Sequence, residues 1–178
     1  MHKQVIDFWF EEIDPVMWFK KDDDFDSRLQ VRFGELWHAA AAGELAHWRE
    51  TIEGRLAEVI VLDQFSRNLF RGTPRAFSSD CMALVLAQEA IRSGQCEQLS
   101  RVQRGFLYLP FMHSESAVIH QQALALYTEL NNGDQLEFEL RHKAIIDRFG
   151  RYPHRNAILG RISTPEEEAF LLLPGSGF

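Results

Sequence analysis

The segment Leu56-Ala57-Glu58-Val59-Ile60-Val61-Leu62-Asp63-Gln64-Phe65-Ser66-Arg67-Asn68-Leu69-Phe70 places apolar side chains around most of the circumference of a helix. A helix apolar nearly all round is a buried one. The segment therefore predicts a central helix with others packed about it. It also carries a polar stripe. Asp63, Arg67 and Arg71 recur at four-residue steps and share a face, with Gln64 and Asn68 beside them. Buried polar groups find partners or cost several kcal/mol. Two readings follow: an Asp63–Arg67 pair inside a structural network, worth only about 0.3–0.5 kcal/mol if exposed, or a polar wall of a ligand site.

Working outward, the same period recurs in both directions. Upstream, Gln4 to Glu12 is a short amphipathic segment, and Asp14-Pro15 restarts the chain. The acidic run Asp22, Asp23, Asp24 and Asp26 suits the positive end of a helix dipole. Phe25, Leu29, Phe33, Leu36 and Trp37 then predict a long helix stopped by Gly43. Downstream, Thr73-Pro74 is a break, and Ser78 or Ser79 caps a helix reaching Gly94. Ser100 caps another, which Pro110 should kink or end. Ser114 or Ser116 caps the next, which Asn131-Asn132-Gly133 stops; Gln135 to Phe149 is a further helix, ended by Gly150 and Pro153. Thr164-Pro165-Glu166-Glu167 opens a short last helix as a capping box with a first-turn proline. No run alternates convincingly enough for a strand. The expectation is an all-α chain of helices joined by short loops, forming a single domain over residues 1–178. No strict 34-residue period marks a tetratricopeptide array.

Composition narrows the function classes. Nineteen Lys and Arg against 26 Asp and Glu give a net charge of −7. That argues against nucleic acid and against anionic membranes. Cys81 and Cys96 form no metal-spaced or redox pair, so reduced thiols in a cytoplasmic protein are expected. The opening MHKQVIDFWFEE turns acidic at once, unlike a secretory leader. Glu-x-x-His occurs at Glu35/His38, Glu44/His47 and Glu139/His142. The further glutamates of a di-metal bundle are not identifiable, so no metal and no cofactor is assigned.

Two more groups bear chemistry. Phe111-Met112-His113-Ser114-Glu115-Ser116 lies at a break between helices. Ser114 and Glu115 read equally as ordinary capping and as company for a His113 poised for proton transfer and tuned by Glu115. Arg148-Phe149-Gly150-Arg151-Tyr152-Pro153-His154-Arg155-Asn156 lies within a local charge reversal, with six Lys or Arg from Arg141 to Arg161 against one acidic residue, Asp147. Guanidinium groups there can chelate phosphate or carboxylate. The competing reading is neutralisation by the first thirty residues, with eight acidic and four basic side chains.

These blocks, Leu62 to Asn68, Tyr108 to Glu115 and Arg148 to Asn156, resemble the signature of the uncharacterised family known as domain of unknown function 924. Asp7-Phe8-Trp9-Phe10, Trp18-Phe19, Phe25-Asp26, Leu159-Gly160-Arg161 and Ser163-Thr164-Pro165-Glu166-Glu167 extend the likeness over nearly the whole chain; Tyr152 stands where Phe is commoner. The resemblance implies a tetratricopeptide-like, right-handed array of antiparallel helix pairs, and no established activity. The leading expectation is one interhelical cleft for a small phosphate or carboxylate compound, in a metal-independent hydrolase or transferase. Asp63, Gln64, Arg67, Asn68, Arg148, Arg151, Arg155 and Asn156 are its binding residues, and His113, Glu115 and His154 its catalytic candidates. The rival is a peptide- or protein-binding helical module whose signature residues are structural salt bridges.

Overall fold

The computed structural model describes residues 1–177 and is all-α, with no strand among the described residues. No helix is long and apolar enough to cross a membrane. The backbone divides into two compact units, one of Met1–Arg71 with Arg75–Pro110, the other of Gly72–Pro74 with Phe111 to the chain's end.

In the first unit, α1 (His2–Asp7) runs into a π-helical turn, Phe8–Glu12. Helix α2 (Asp23–Ala41) starts where the acidic run predicts. The Asp22 side chain accepts from the Phe25 N–H at 3.0 Å, and Asp23, Asp24 and Asp26 fill the first turn. Gly43, at φ 77°, takes the left-handed conformation that closes the helix. Phe25, Leu29, Phe33, Leu36, Trp37 and Ala40 form its buried stripe.

The central segment is helical and buried as expected, with two differences. Its helix α3 (Ile52–Ile60) begins four residues before Leu56, because Thr51 accepts from the Gly54 N–H at 3.1 Å and caps it there. Gly54 is required by close approach: a Cβ there would stand 1.9 Å from the Trp48 carbonyl oxygen. The helix then widens into a π turn, Val61–Phe65, before α4 (Ser66–Leu69). Such turns cluster at functional sites, and this one holds Asp63 and Gln64. Around it Phe8, Trp9, Phe33 and Phe65 pack ring against ring at 5.0–6.3 Å.

Buried Trp37 donates its indole N–H to Ser66 Oγ at 2.7 Å, and Ser66 Oγ donates onward to the Leu62 carbonyl. Ser66→Ala strands that indole donor in the core. It should destabilise the protein by about 2 kcal/mol, read as a lower urea midpoint with an unchanged slope.

Helix α5 (Asp80–Arg92) follows Ser79, whose side chain makes no capping bond; the neighbouring Ser78 hydroxyl donates back to the Arg75 carbonyl. Helix α6 (Arg101–Met112) is capped reciprocally by Ser100 and Gln103, and it continues two residues past Pro110 before ending.

In the second unit, α7 (Ala117–Leu130) and α8 (Gly133–Phe149) pack against each other. Ser116 precedes α7 without a side-chain cap. The stop between the helices is Asn131, left-handed at φ 53°, and Asn132, whose side chain caps α8; Gly133 is already helical. Gly150 closes α8 at φ 68°. The last helix, α9 (Pro165–Leu171), carries the expected Thr164/Glu167 capping box. Ile145, Ile146 and Tyr152 make the core here, with Phe149 and Phe170 against them.

Candidate functional site

The polar stripe of the first unit is spent on internal partners. Arg67 forks onto Asp80 at 3.0 and 3.1 Å and also meets Asp63 Oδ1 at 3.2 Å, the expected i,i+4 pair. Gln64 donates to the other Asp63 oxygen at 2.6 Å. Arg71 leaves the stripe and reaches α2, donating to Asp26 at 2.7 and 3.0 Å, where Asn68 joins it at 2.7 Å. The acidic start of α2 thus serves as a clamp as well as a dipole partner.

Much of the basic reversal is neutralised as well, by carboxylates of its own unit. Arg148 donates to Glu166, and Arg151 forks onto Glu167 at 2.6 and 2.7 Å. Arg161 forks onto Glu115 at 2.6 and 2.9 Å, and Glu115 also accepts the Tyr152 N–H at 2.7 Å. Asn156 links the set, donating to Ser163 and Glu167 and accepting from Arg161. Among the acids of the first thirty residues, Asp7, Asp22, Glu12 and Asp26 instead pair with Lys3, Lys20, Arg32 and Arg71.

The electrostatics follow from these bonds. The Arg151 guanidinium, with the Thr164 N–H, draws the Glu167 carboxyl down to about 2. Burial alone would raise Glu115, but hydrogen bonds from Arg161 and the Tyr152 N–H carry it below the ordinary value.

What these pairs surround is a group of imidazoles about one tyrosine. The Tyr152 side chain is fully buried and its hydroxyl donates to the Met112 carbonyl at 2.5 Å. The rings of His154, His142 and His120 have centroids 5.5, 5.7 and 6.3 Å from its ring. The Arg155 guanidinium lies over the ring at 4.6 Å, a cation–π distance. Burial pushes His154 down to about 4, with the Arg155 charge adding to it. Burial likewise pushes His142 to about 3, and its Nδ1 donates to the Phe138 carbonyl at 2.7 Å. Both rings are therefore neutral at pH 7. His113, Ser114, Glu115, Arg151, His154 and Arg161 are all half-buried, so water reaches this edge of the unit, whereas Arg155 and Asn156 are buried.

Of the sequence candidates, the structure brings His154, Arg155 and Glu115 together about Tyr152. Arg151 and Asn156 stand on the adjoining Glu167 network, and Arg148 on an exposed pair. His120, Glu139, His142 and Tyr152 were not among the candidates. Their signal was polar residues at apolar positions of the helical period: His120 precedes Ala123, Tyr127 and Leu130, and Glu139 and His142 precede Ile146.

Comparison with known proteins assigns the fold its family. The model for the family described as bacterial protein of unknown function (DUF924) matches residues 5–175. The chain belongs to the DUF924 family. A solved relative, a protein of unknown function from Agrobacterium tumefaciens, is 43% identical, superposes with a TM-score of 0.92 and is covered over 96% of each chain. No curated protein matches. The clustered histidines and the paired arginines are thus features of a DUF924 chain for which neither comparison supplies a reaction.

Proposed function

We propose that this DUF924 protein binds a small phosphate or carboxylate compound at the half-buried edge of its second unit, through Arg155, His154 and His113. The carrying observation is the cluster of three imidazoles and a guanidinium about the Tyr152 ring. A neutral imidazole is ready to accept a proton, and a guanidinium holds an anionic group in reach of it. The chemistry this suits is metal-independent hydrolysis or group transfer in the cytoplasm, with Glu115 acting indirectly by fixing the Tyr152 backbone. Asp63, Gln64, Arg67 and Asn68 then hold the first unit together and do not touch the ligand.

Inorganic phosphate, acetate and a panel of phosphorylated and carboxylated metabolites should separate by thermal shift. A ligand at a hundred times its dissociation constant raises stability by about 2.7 kcal/mol. His154→Gln should lose that gain while melting like the parent without ligand. An undiminished gain in His154→Gln would refute the site.

A second reading has its own support. Arg67, Arg71, Arg148, Arg151 and Arg161 all stand in carboxylate pairs, which suits a tetratricopeptide-like module whose signature residues lock helices for a peptide or protein partner. On that reading no small anion shifts the melting temperature.

A further inference from the structure

Beneath the imidazole cluster lies a hydrogen-bonded chain that the proposed site does not use directly. Glu139, His120 and Tyr152 are each fully buried. Glu139 Oε1 stands 2.7 Å from His120 Nδ1, and His120 Nε2 stands 2.9 Å from the Ser114 carbonyl and 3.2 Å from the Tyr152 hydroxyl.

Atom types fix most of the protons. A carbonyl oxygen only accepts, so Nε2 must carry a hydrogen toward Ser114. The Tyr152 hydroxyl gives its hydrogen to the Met112 carbonyl, so toward His120 it can only accept. One hydrogen remains for the gap between Oε1 and Nδ1. Either Glu139 carries it as a neutral acid beside a neutral imidazole, or His120 carries it as an imidazolium beside a carboxylate. The other oxygen decides. Glu139 Oε2 is buried with no hydrogen-bond partner in the protein. A bare carboxylate oxygen in that position is far costlier than the carbonyl oxygen of a neutral acid.

The charges nearby do not reverse this. Lys143 favours the carboxylate and Asp147 opposes it, and those two pair with each other at 2.6 Å. Burial is the largest influence on Glu139 and raises it.

We propose that Glu139 is a neutral carboxylic acid at neutral pH, donating to His120 Nδ1, and that this one-way donor chain positions the ligand site. The chain ends on the carbonyls of Met112 and Ser114, the two residues flanking His113, and on the hydroxyl of the ring that carries His154 and Arg155. Glu139 is thus a positioning residue, acting as a proton donor and not as a charge. The positioning half rests on the anion-site reading above; the proton assignment does not.

The infrared difference spectrum of parent minus Glu139→Gln at pH 7 should show the carbonyl stretch of a protonated carboxylic acid. Nitrogen NMR of the parent, assigned by loss of signal in His120→Gln, should show His120 protonated on Nε2 alone. A doubly protonated His120, or a folded parent with no acid stretch, overturns the assignment. In phosphate titrations, the Glu139→Gln amide can replace the acid as a neutral donor and should keep affinity within about twofold, while Glu139→Leu should bind about tenfold more weakly. Equal loss in both variants overturns the positioning role. A parent with the acid stretch and no phosphate affinity would defeat the anion site alone.

Discussion

Lowering the pH from 7 to 5 should cost about 4 kcal/mol of stability through two buried histidines, roughly half through each, before the opposing titration of Glu139 is counted. Unfolded, His142 and His154 titrate at the ordinary 6.5; folded, burial holds them near 3 and near 4. The unfolded chain therefore binds protons first, and stability falls as the pH falls wherever that holds. Their contribution is fully present above 6.5, declines by about 1.4 kcal/mol per pH unit per histidine below it, and levels off at the folded values. Glu115 and Glu167, held below the usual carboxylate range, add losses only in the more acidic region beneath about pH 4.5. Glu139, raised by burial and protonated in the folded protein, takes up a proton on folding across pH 7 to 5 and so offsets part of the histidine loss. Urea unfolding at successive pH values reads the slope. His142→Gln together with His154→Gln should flatten it between pH 6.5 and 5. In Glu139→Gln, where that opposing titration is removed, a stability unchanged across the interval contradicts the neutral, buried imidazoles.

Glu115→Ala should destabilise the protein by about 3 kcal/mol, because three donors lose one acceptor. Arg161 Nη1 and the Tyr152 N–H lose their acceptor together, Arg161 keeping only its bonds to Asn156 and the Tyr152 carbonyl, and the guanidinium is only a quarter exposed. The partners share one network, so Glu115→Ala with Arg161→Ala should cost clearly less than the sum of the single changes. Arg148→Ala is the contrast in another of the signature blocks. Its pair with Glu166 is exposed on both sides, at 49% and 64%, and it should cost under about 1 kcal/mol. If Arg148→Ala and Glu115→Ala prove equally damaging, burial is not what distinguishes the signature residues.

The helices were legible where a cap and an apolar period coincide. Asp22 with Phe25 to Ala40, and Thr164 with Glu167, carry their starts in the sequence. The π turn at Val61–Phe65 was not legible, because widening a helix by one residue changes hydrogen-bond partners without changing composition. Asn131 took the stop assigned jointly with Gly133, since an asparagine also tolerates the left-handed conformation. In the site, the signature blocks pointed to Arg155, His154 and Glu115, but which acid meets which arginine depends on tertiary placement. Glu166 and Glu167 read as helix-start residues and turned out also to neutralise Arg148 and Arg151. His120 was hidden, and Glu139 was noticed only as part of a Glu-x-x-His pair, for a related reason: a single polar residue on an apolar face looks like noise until its partner on the facing helix is seen.

The most direct test of the anion site is the histidine NMR spectrum during titration with inorganic phosphate at pH 7. The His154 ring signals should move saturably, with a midpoint matching the dissociation constant from calorimetry, while those of His38 and His47 in the first unit stay fixed. A His154 ring unmoved by millimolar phosphate, or one that drifts no differently from His38 and His47, would contradict an anion site built on Tyr152.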